Sequence, residues 1–377
     1  MSPTRSFARR GVLTSIALVV LLLAGFGAAV SDLVGATPAA GLRTGIAEAS
    51  GADGAARWEV FRSADPDAQS AAADRVFDAL PAGLAVSRSV QTSPAPAGGA
   101  GFSVDGAAVG AVLLVDPDAS AHADLVTGAW PEDAGAAPEG AVPAAVHAGA
   151  ADALGLALGD EVALDGLTLV VVGTWLPSDA GDPHWAGDPL LAGGLSGERA
   201  GPFLLADEAA TDALSVGVYA RWTAVPTGGL DPGSAAEVRS ELPRIADRLA
   251  DEPGFRDGGV RESGALAGTL DRLLAEAGAV GAIAPVPLLL LAVAGAAALE
   301  RLGSLLAASR RSETVLLRAR GATAARIGRE TAVEVLVIGI PAAVVGALCG
   351  EGLLVLAAGG AGRSWAAALA AAAVAAV

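Results

Sequence analysis

The sequence predicts an α-helical membrane protein with three full transmembrane helices, a truncated fourth, and a large α+β extracytoplasmic domain. Three observations carry that class. Residues 11–31, 277–299 and 335–350 are uncharged, and 364–377 form a further apolar run. A helix needs about 20 apolar residues to cross a bilayer. Arginines flank these runs, whereas acids fill the stretch between the first two. Within that stretch, strand-like and helix-like patterns alternate.

Composition agrees. Of 377 residues, 53% are hydrophobic and 17% charged, too apolar for an ordinary soluble domain. All 24 basic residues are Arg, so the chain cannot carry a Walker A loop, which needs its Lys. The lone Cys349 rules out an intramolecular disulfide.

Each segment follows in order. Residues 1–10 hold Arg5, Arg9 and Arg10 without an acid and read as a cytoplasmic tail. The first helix, 11–31, exceeds the 7–15 residues of a signal-peptide core, so it reads as an uncleaved anchor. Residues 32–276 hold 13 Arg against 36 acids and lie outside by the positive-inside rule. The second helix takes 277–308. Residues 309–326 form a short cytoplasmic helix and turn, within a stretch from Arg301 to Arg329 that holds seven Arg. The third helix takes 327–358, and 359–377 would be a fourth cut short, so the sequence reads as an N-terminal fragment of a longer protein.

The outer domain opens with a strand-like "ARWEVFR" at 56–62. A helix follows, with Asp65 as its N-cap, Pro66 in its first position, and Val76, Phe77 and Leu80 on one face. "GLAVSRSV" returns as a strand. The same grammar recurs late: strand-like "GVYARWTAV", then a helix capped by Asp231 with Pro232 first. Both copies share Ala-Arg-Trp, at 56–58 and 220–222, a weak internal repeat of two βα units. Between them lies a β-rich insert, about 126–194. There a short helix leads to a hairpin of strands 162–164 and 167–174 around Asp165-Gly166.

Candidate chemistry is sparse. The loop 178–189 gathers Asp179, Asp182, His184 and Asp188, but their spacing matches no metal-ligand motif. It reads as a solvated, turn-rich loop with Trp185 as packing anchor. The three His are far apart in sequence. No G-x-S-x-G, H-E-x-x-H or paired-Cys pattern occurs. The chain is not expected to be an enzyme, to hold a cofactor or metal, or to bind nucleic acid.

The basic segment is more specific. Residues 312–320 can form two helical turns, with Arg311 and Arg318 on one face and Val315, Leu316 and Ala319 as an apolar stripe. Gly321 suits a left-handed helix stop, and Thr323 can cap the next helix. Such a helix lies along the cytoplasmic face, where its arginines anchor the topology and can meet lipid headgroups. Glu334 is an intramembrane acid one turn into the third helix, read as pairing with Arg or reaching headgroups.

Arg310-Arg311-Ser312-Glu313, Leu316-Leu317-Arg318-Ala319 and Gly321-Ala322-Thr323, with Glu334 and glycines at 339, 346 and 350 beyond, resemble the signature of FtsX-like (MacB-type) ABC transporter permeases. "LGLALGDEVAL", "VVVGTW" and "DPHWAGDP" are similar to the outer domain of actinobacterial-type members. The resemblance implies a βαβ porter part interrupted by a small β-rich part. It implies a permease that leaves ATP hydrolysis to a separate ABC ATPase subunit. That subunit would dock on Arg310, Arg311, Glu313 and Arg318 beside the Gly321-Ala322 turn. ATP-driven motion would reach the outer domain and move a lipophilic or peptide substrate; the alternative is a non-transport regulator that activates a cell-wall hydrolase or relays a signal. Two permease units, or two permease halves, would pair.

Overall fold

The computed structural model describes residues 3–357 apart from 100, 136–137, 139, 165, 257, 284, 310, 312–314, 316–318 and 320–322; for some helical residues only the backbone is described. The chain divides into two compact units. One is Leu42–Leu274; the other comprises the described residues before and after it.

The Leu42–Leu274 unit is built on β1 (Ala56–Phe61), α2 (Pro66–Phe77) and β2 (Leu84–Thr92), and on β11 (Val218–Pro226), α6 (Pro232–Asp251) and β12 (Arg261–Gly264). These four strands lie in the order β12-β1-β11-β2, all antiparallel neighbours. This is the split βαβ arrangement, and it turns the Ala-Arg-Trp repeat into two interleaved halves. Both predicted caps form. The Asp65 carboxylate accepts from Ala68 N at 3.0 Å. Asp231 accepts from Gly233 N and Ser234 N at 2.8 and 2.9 Å, while Ser234 Oγ accepts from Asp231 N. Those backbone donors, Ser234 first, hold the Asp231 carboxyl below its usual range.

One face of this half carries the main core. Trp58 and Trp222 sit directly opposite each other on β1 and β11. Around them pack Val76 and Phe77 of α2, Val238, Leu242 and Ile245 of α6, and Phe255. The ring centroids are 5.4 Å apart for Trp58 and Phe77, and 5.3 Å for Trp222 and Phe255. Leu42 joins this core from the last turns of α1 (Pro3–Glu48), as do Leu266 and Leu270 from α7 (Leu266–Ile283).

The rest of the sheet comes from the segment between β2 and β11. It contributes β3 (Phe102–Val104), β4 (Ala107–Val115), β5 (Ala123–Gly128), β6 (Ala141–His147), β7 (Glu161–Leu164), β8 (Leu167–Pro177), β9 (Leu195–Ser196) and β10 (Arg199–Leu204). It also contributes α3 (Ala119–His122), α4 (Ala148–Leu154) and α5 (Leu190–Gly193). The predicted hairpin forms, with Leu164 opposite Leu167. The sheet continues β2-β4-β10-β6-β8-β5, with parallel pairs at β4–β10 and β6–β8. Leu113 and Val115 face one core and Leu114 the other, so β4 is buried on both faces.

Two parts of the predicted class are corrected. The described strands form one large mixed sheet of twelve strands, so the β-rich insert expected at about 126–194 is continuous with the βαβ part it interrupts and is not a small part of its own. Antiparallel pairing of β2 with β4 makes the join. Likewise, three full transmembrane helices are not seen among the described residues. Two described helices contain stretches long and apolar enough to cross a membrane: Thr14–Ser31 in α1, and Val286–Leu305 in α8 (Pro285–Ser309). The third, α9 (Ala324–Ala357), opens with Arg326, Arg329, Glu330 and Glu334. Those charges confine its apolar stretch to Leu336–Gly350, short of a span. The predicted fourth helix, 359–377, lies outside the described residues.

Within the second unit α1 and α9 meet through small residues. Ala24 packs near Ala343, and Ala28 against Ala347. A Cβ on Gly346 would collide with the Leu21 carbonyl, and one on Gly350 with the Gly25 carbonyl. Glycines four apart thus let the two backbones touch, as membrane helices do where dispersion replaces the hydrophobic effect.

Two outcomes follow. Gly346→Leu should separate α1 from α9 and cost about 1–3 kcal/mol, read as a lower midpoint in thermal unfolding of the detergent-solubilised chain. Trp222→Ala should cost about 3–5 kcal/mol, whereas Trp222→Phe should cost far less, in urea unfolding followed by the remaining tryptophans.

Candidate functional site

The sheet register creates a second, polar surface. Side chains alternate along a strand, so burying Trp58 and Trp222 on one face sends Arg57, Glu59, Arg221 and Thr223 to the other. Arg57 Nε donates to Thr223 Oγ1 at 3.0 Å, and Arg221 Nε to Glu59 Oε2 at 2.7 Å. Both are cross-strand neighbours, the pairing by which a sheet gains side-chain stabilisation.

The loop 178–189 closes over this face. Asp179 accepts from Gly181 N at 2.7 Å, and Asp182 Oδ1 from His184 N at 2.9 Å. Pro183 opens the short 3-10 turn Pro183–Trp185. Gly51 N donates to Gly181 O at 2.6 Å, which ties the loop to the 3-10 turn Gly51–Gly54. Gly187, at φ +69°, lies against the Ala52 backbone, where a side chain would not fit. Trp185 is the buried anchor the sequence predicts, packed on Trp175.

The loop is not simply solvated, and this is a correction. His184 Nε2 bonds Asp116 Oδ2 at 2.8 Å, with the two side chains only 6% and 5% exposed. His122, on α3, bonds Asp182 Oδ2 through Nδ1 at 2.7 Å. The two imidazoles stack with centroids 3.9 Å apart and planes 3° from parallel. Asp188 faces Arg199 at 3.4 Å and Arg221 at 3.8 Å. Arg57 donates to the His184 carbonyl at 3.1 Å. Burial first, then the neighbouring Arg221 charge, lower the Arg57 pKa from its ordinary value to about 10; Asp188, Asp116 and Glu59 oppose the shift.

Loop and sheet therefore share one network of carboxylates, guanidinia and two imidazoles. Each of its imidazoles bonds a carboxylate, and among the described residues no hydroxyl or thiol hydrogen-bonds either ring. Among the described residues no three His, Cys, Asp or Glu side chains are grouped to hold a metal. Chemically the network can fasten the loop to the sheet. Sequence separation hid it: His122 and Asp182 are 60 positions apart, and Asp116 and His184 are 68. The third imidazole, His147, is elsewhere, donating from Nε2 to Leu191 O and accepting from Gly149 N at Nδ1. Burial pushes its pKa down, against the Leu191 carbonyl.

Of the residues singled out in the basic segment, Arg310, Glu313, Arg318, Gly321 and Ala322 lie outside the described residues. Arg311, Val315 and Ala319 have helical backbone and are exposed, four apart and hence on one face. Thr323 Oγ1 accepts from Arg326 N at 3.4 Å, the predicted cap at the start of α9. Glu334 falls inside α9, its side chain outside the described set.

No family model matches the chain, and no curated protein matches it. Among solved structures, a domain of a protein from Porphyromonas gingivalis, described as a permease, aligns at 11% identity with a TM-score of 0.30. That alignment covers 56% of this chain and 89% of the other.

Asp116→Ala should cost about 1–3 kcal/mol, the scale for leaving a buried hydrogen-bonding group unsatisfied, because it strands His184 and removes an anion near Arg57. Asp116→Asn should retain most of the stability by keeping an acceptor for His184. Urea unfolding of the solubilised chain measures both; equal losses would remove the charge from the account.

Proposed function

We propose that the chain is the permease subunit of an ABC transporter of the FtsX-like, MacB-type class. In this reading a separate ATPase subunit binds and hydrolyses ATP, and the permease converts that cycle into movement of the Leu42–Leu274 unit. The cargo is a lipophilic or peptide substrate that the outer unit pushes or extracts. The N-terminus and the basic segment face the cytoplasm, and the acidic unit faces outward. Two such permease units, or halves, work together.

The observation that carries the reading is the basic segment, 310–323, with its order Arg-Arg-x-Glu, Leu-Leu-Arg-Ala, Gly-Ala-Thr. Its setting supports a coupling role. It follows α8, which is apolar enough to cross a bilayer, and ends where Thr323 caps α9. The Arg311, Val315 and Ala319 positions present one exposed helical face. In this reading a short helix in the segment would transfer force as a body, better than a loose loop.

Charge reversal tests it. Arg311→Glu with Arg318→Glu should abolish co-purification with the ATPase subunit while membrane insertion and expression stay at wild-type level. Unchanged ATPase binding would remove the coupling role from this segment.

A further inference from the structure

We propose that the recess between Phe61 and Arg261, at the end of β1, binds an apolar carboxylate of the kind that the C-terminal residue of a peptide presents. Binding there needs no ATPase, so the site stands or falls apart from the permease reading.

The register that pairs Glu59 with Arg221 also sets Phe61 opposite Tyr219, two positions further on and on the same face of the sheet. The loop 178–189 reaches the rows of Arg57 and Arg221, through the His184 carbonyl and Asp188. The aromatic row stays open: Phe61 is 49% exposed, and Tyr219 is half-buried. Their ring centroids are 4.5 Å apart and their planes 32° from parallel, so the two rings form one tilted shelf. Gly258 lies against the Phe61 side chain, and Gly259 after it, at φ +64°, has open space where a Cβ would stand. With no side chain on either glycine, a recess of about 300 Å³ remains between the shelf and Arg261. That volume is at the small end of ligand pockets.

The polar wall of the recess has hydrogen-bond donors left over. The Glu59 side chain is only 13% exposed, and both its oxygens are engaged. Arg221 Nε bonds Oε2 at 2.7 Å, and Arg261 Nη1 bonds Oε1 at 2.8 Å. Arg261 itself is 74% exposed. A guanidinium carries five N–H donors, and this one gives Nη1 to Glu59. Its Nε and Nη2 edge is left for a ligand, and among the described residues neither that edge nor the Tyr219 hydroxyl has a protein acceptor. The carboxylate thus lies behind and the guanidinium in front, so the recess presents positive charge. It does so within a stretch, 32–276, that holds 13 Arg against 36 acids.

An anion with an apolar body matches both walls. Its carboxylate takes two parallel N–H donors from Arg261, the fork geometry that suits a guanidinium. Its side chain covers the Phe61–Tyr219 shelf, where aromatic surface is still in water. A cationic ligand would meet Arg261 instead, and the one carboxylate lining the recess, Glu59, already serves two arginines. A neutral ligand would leave the guanidinium without its anion. The recess admits one side chain and one carboxylate, and in a peptide only the last residue carries both.

The test is isothermal titration of the full chain in phospholipid nanodiscs with an acetylated Ala-Ala-Phe tripeptide, as the free acid and as the C-terminal amide. Empty nanodiscs give the baseline for partition into lipid. The acid should bind saturably, and amidation should weaken binding about tenfold or more, the scale of lost charge-assisted hydrogen bonds. Arg261→Gln should weaken the acid by a similar factor and erase the preference for acid over amide. Phe61→Ala should weaken acid and amide alike, whereas Phe61→Tyr keeps the shelf and the binding. Arg256→Gln changes an exposed arginine outside the recess, one that bonds the Asp251 carbonyl, and should leave binding unchanged. No saturable binding of the acid above the empty-nanodisc baseline would overturn the site. So would equal affinity for acid and amide, a full acid preference in Arg261→Gln, undiminished binding in Phe61→Ala, or loss of binding in Arg256→Gln.

Discussion

The register between β1 and β11 is the constraint on which the Leu42–Leu274 unit depends. Setting Trp58 opposite Trp222 fixes both faces of the sheet at once. On the apolar face it assembles the tryptophans with Phe77 and Phe255 beneath α2 and α6. On the polar face it places Arg57 beside Thr223 and Glu59 beside Arg221. A slip of one residue would exchange these sets, putting guanidinia under the helices and indoles under the loop. Neither arrangement has an alternative partner available, so hydrophobic burial and charge pairing select the same register.

Magnitudes show which face dominates. The indole Nε1 atoms of Trp58 and Trp222 are buried without a hydrogen-bond partner. Such an orphan donor costs about 1–3 kcal/mol. Burying one tryptophan removes about 150–250 Å² from water, and at about 25 cal/mol per Å² that contributes roughly 4–6 kcal/mol. Burial outweighs the orphan, which is why the core tolerates it. The polar face works differently. A charge there has no comparable gain from burial, so Arg57 is held by Thr223 and the His184 carbonyl, and Asp116 by His184. The loop 178–189 is therefore part of the sheet's polar face, because it completes the partners that the register leaves unfinished.

Local signals in the sequence identified the pieces of this design. The Asp65 and Asp231 caps, the 164–167 hairpin and the paired Ala-Arg-Trp strands each depend on residues within a few positions of one another. The repeat did not reveal that its copies interleave, since strand order depends on contacts 160 or more positions apart, such as Arg57 with Thr223. Aspartates and glycines in 178–189 suggested a solvated loop because those residues do shape its turns. Their second role, pairing with histidine and arginine from other strands, has no periodicity to read. The membrane helices were misread for a related reason. The third helix was expected over 327–358 with Glu334 inside it, but Glu334 on one side and Glu351 on the other leave an apolar stretch of only Leu336–Gly350, short of a span.

The two units solve the problem of close approach in different ways. Between α1 and α9, glycine removes side chains so that backbones can touch, at Gly346 and Gly350. That contact depends on shape, carries no charge and is indifferent to pH. In the Leu42–Leu274 unit, closure of 178–189 depends on carboxylates, guanidinia and two imidazoles that pair between loop and sheet. A shape-based contact rests on the fit of two backbones, whereas a charge-based one rests on each group keeping its partner. Trp185 illustrates the division, since its ring packs on Trp175 in the core while its neighbour His184 enters the charged network. The same short turn thus bears both an apolar anchor and a polar one, and joins the core to the charged face.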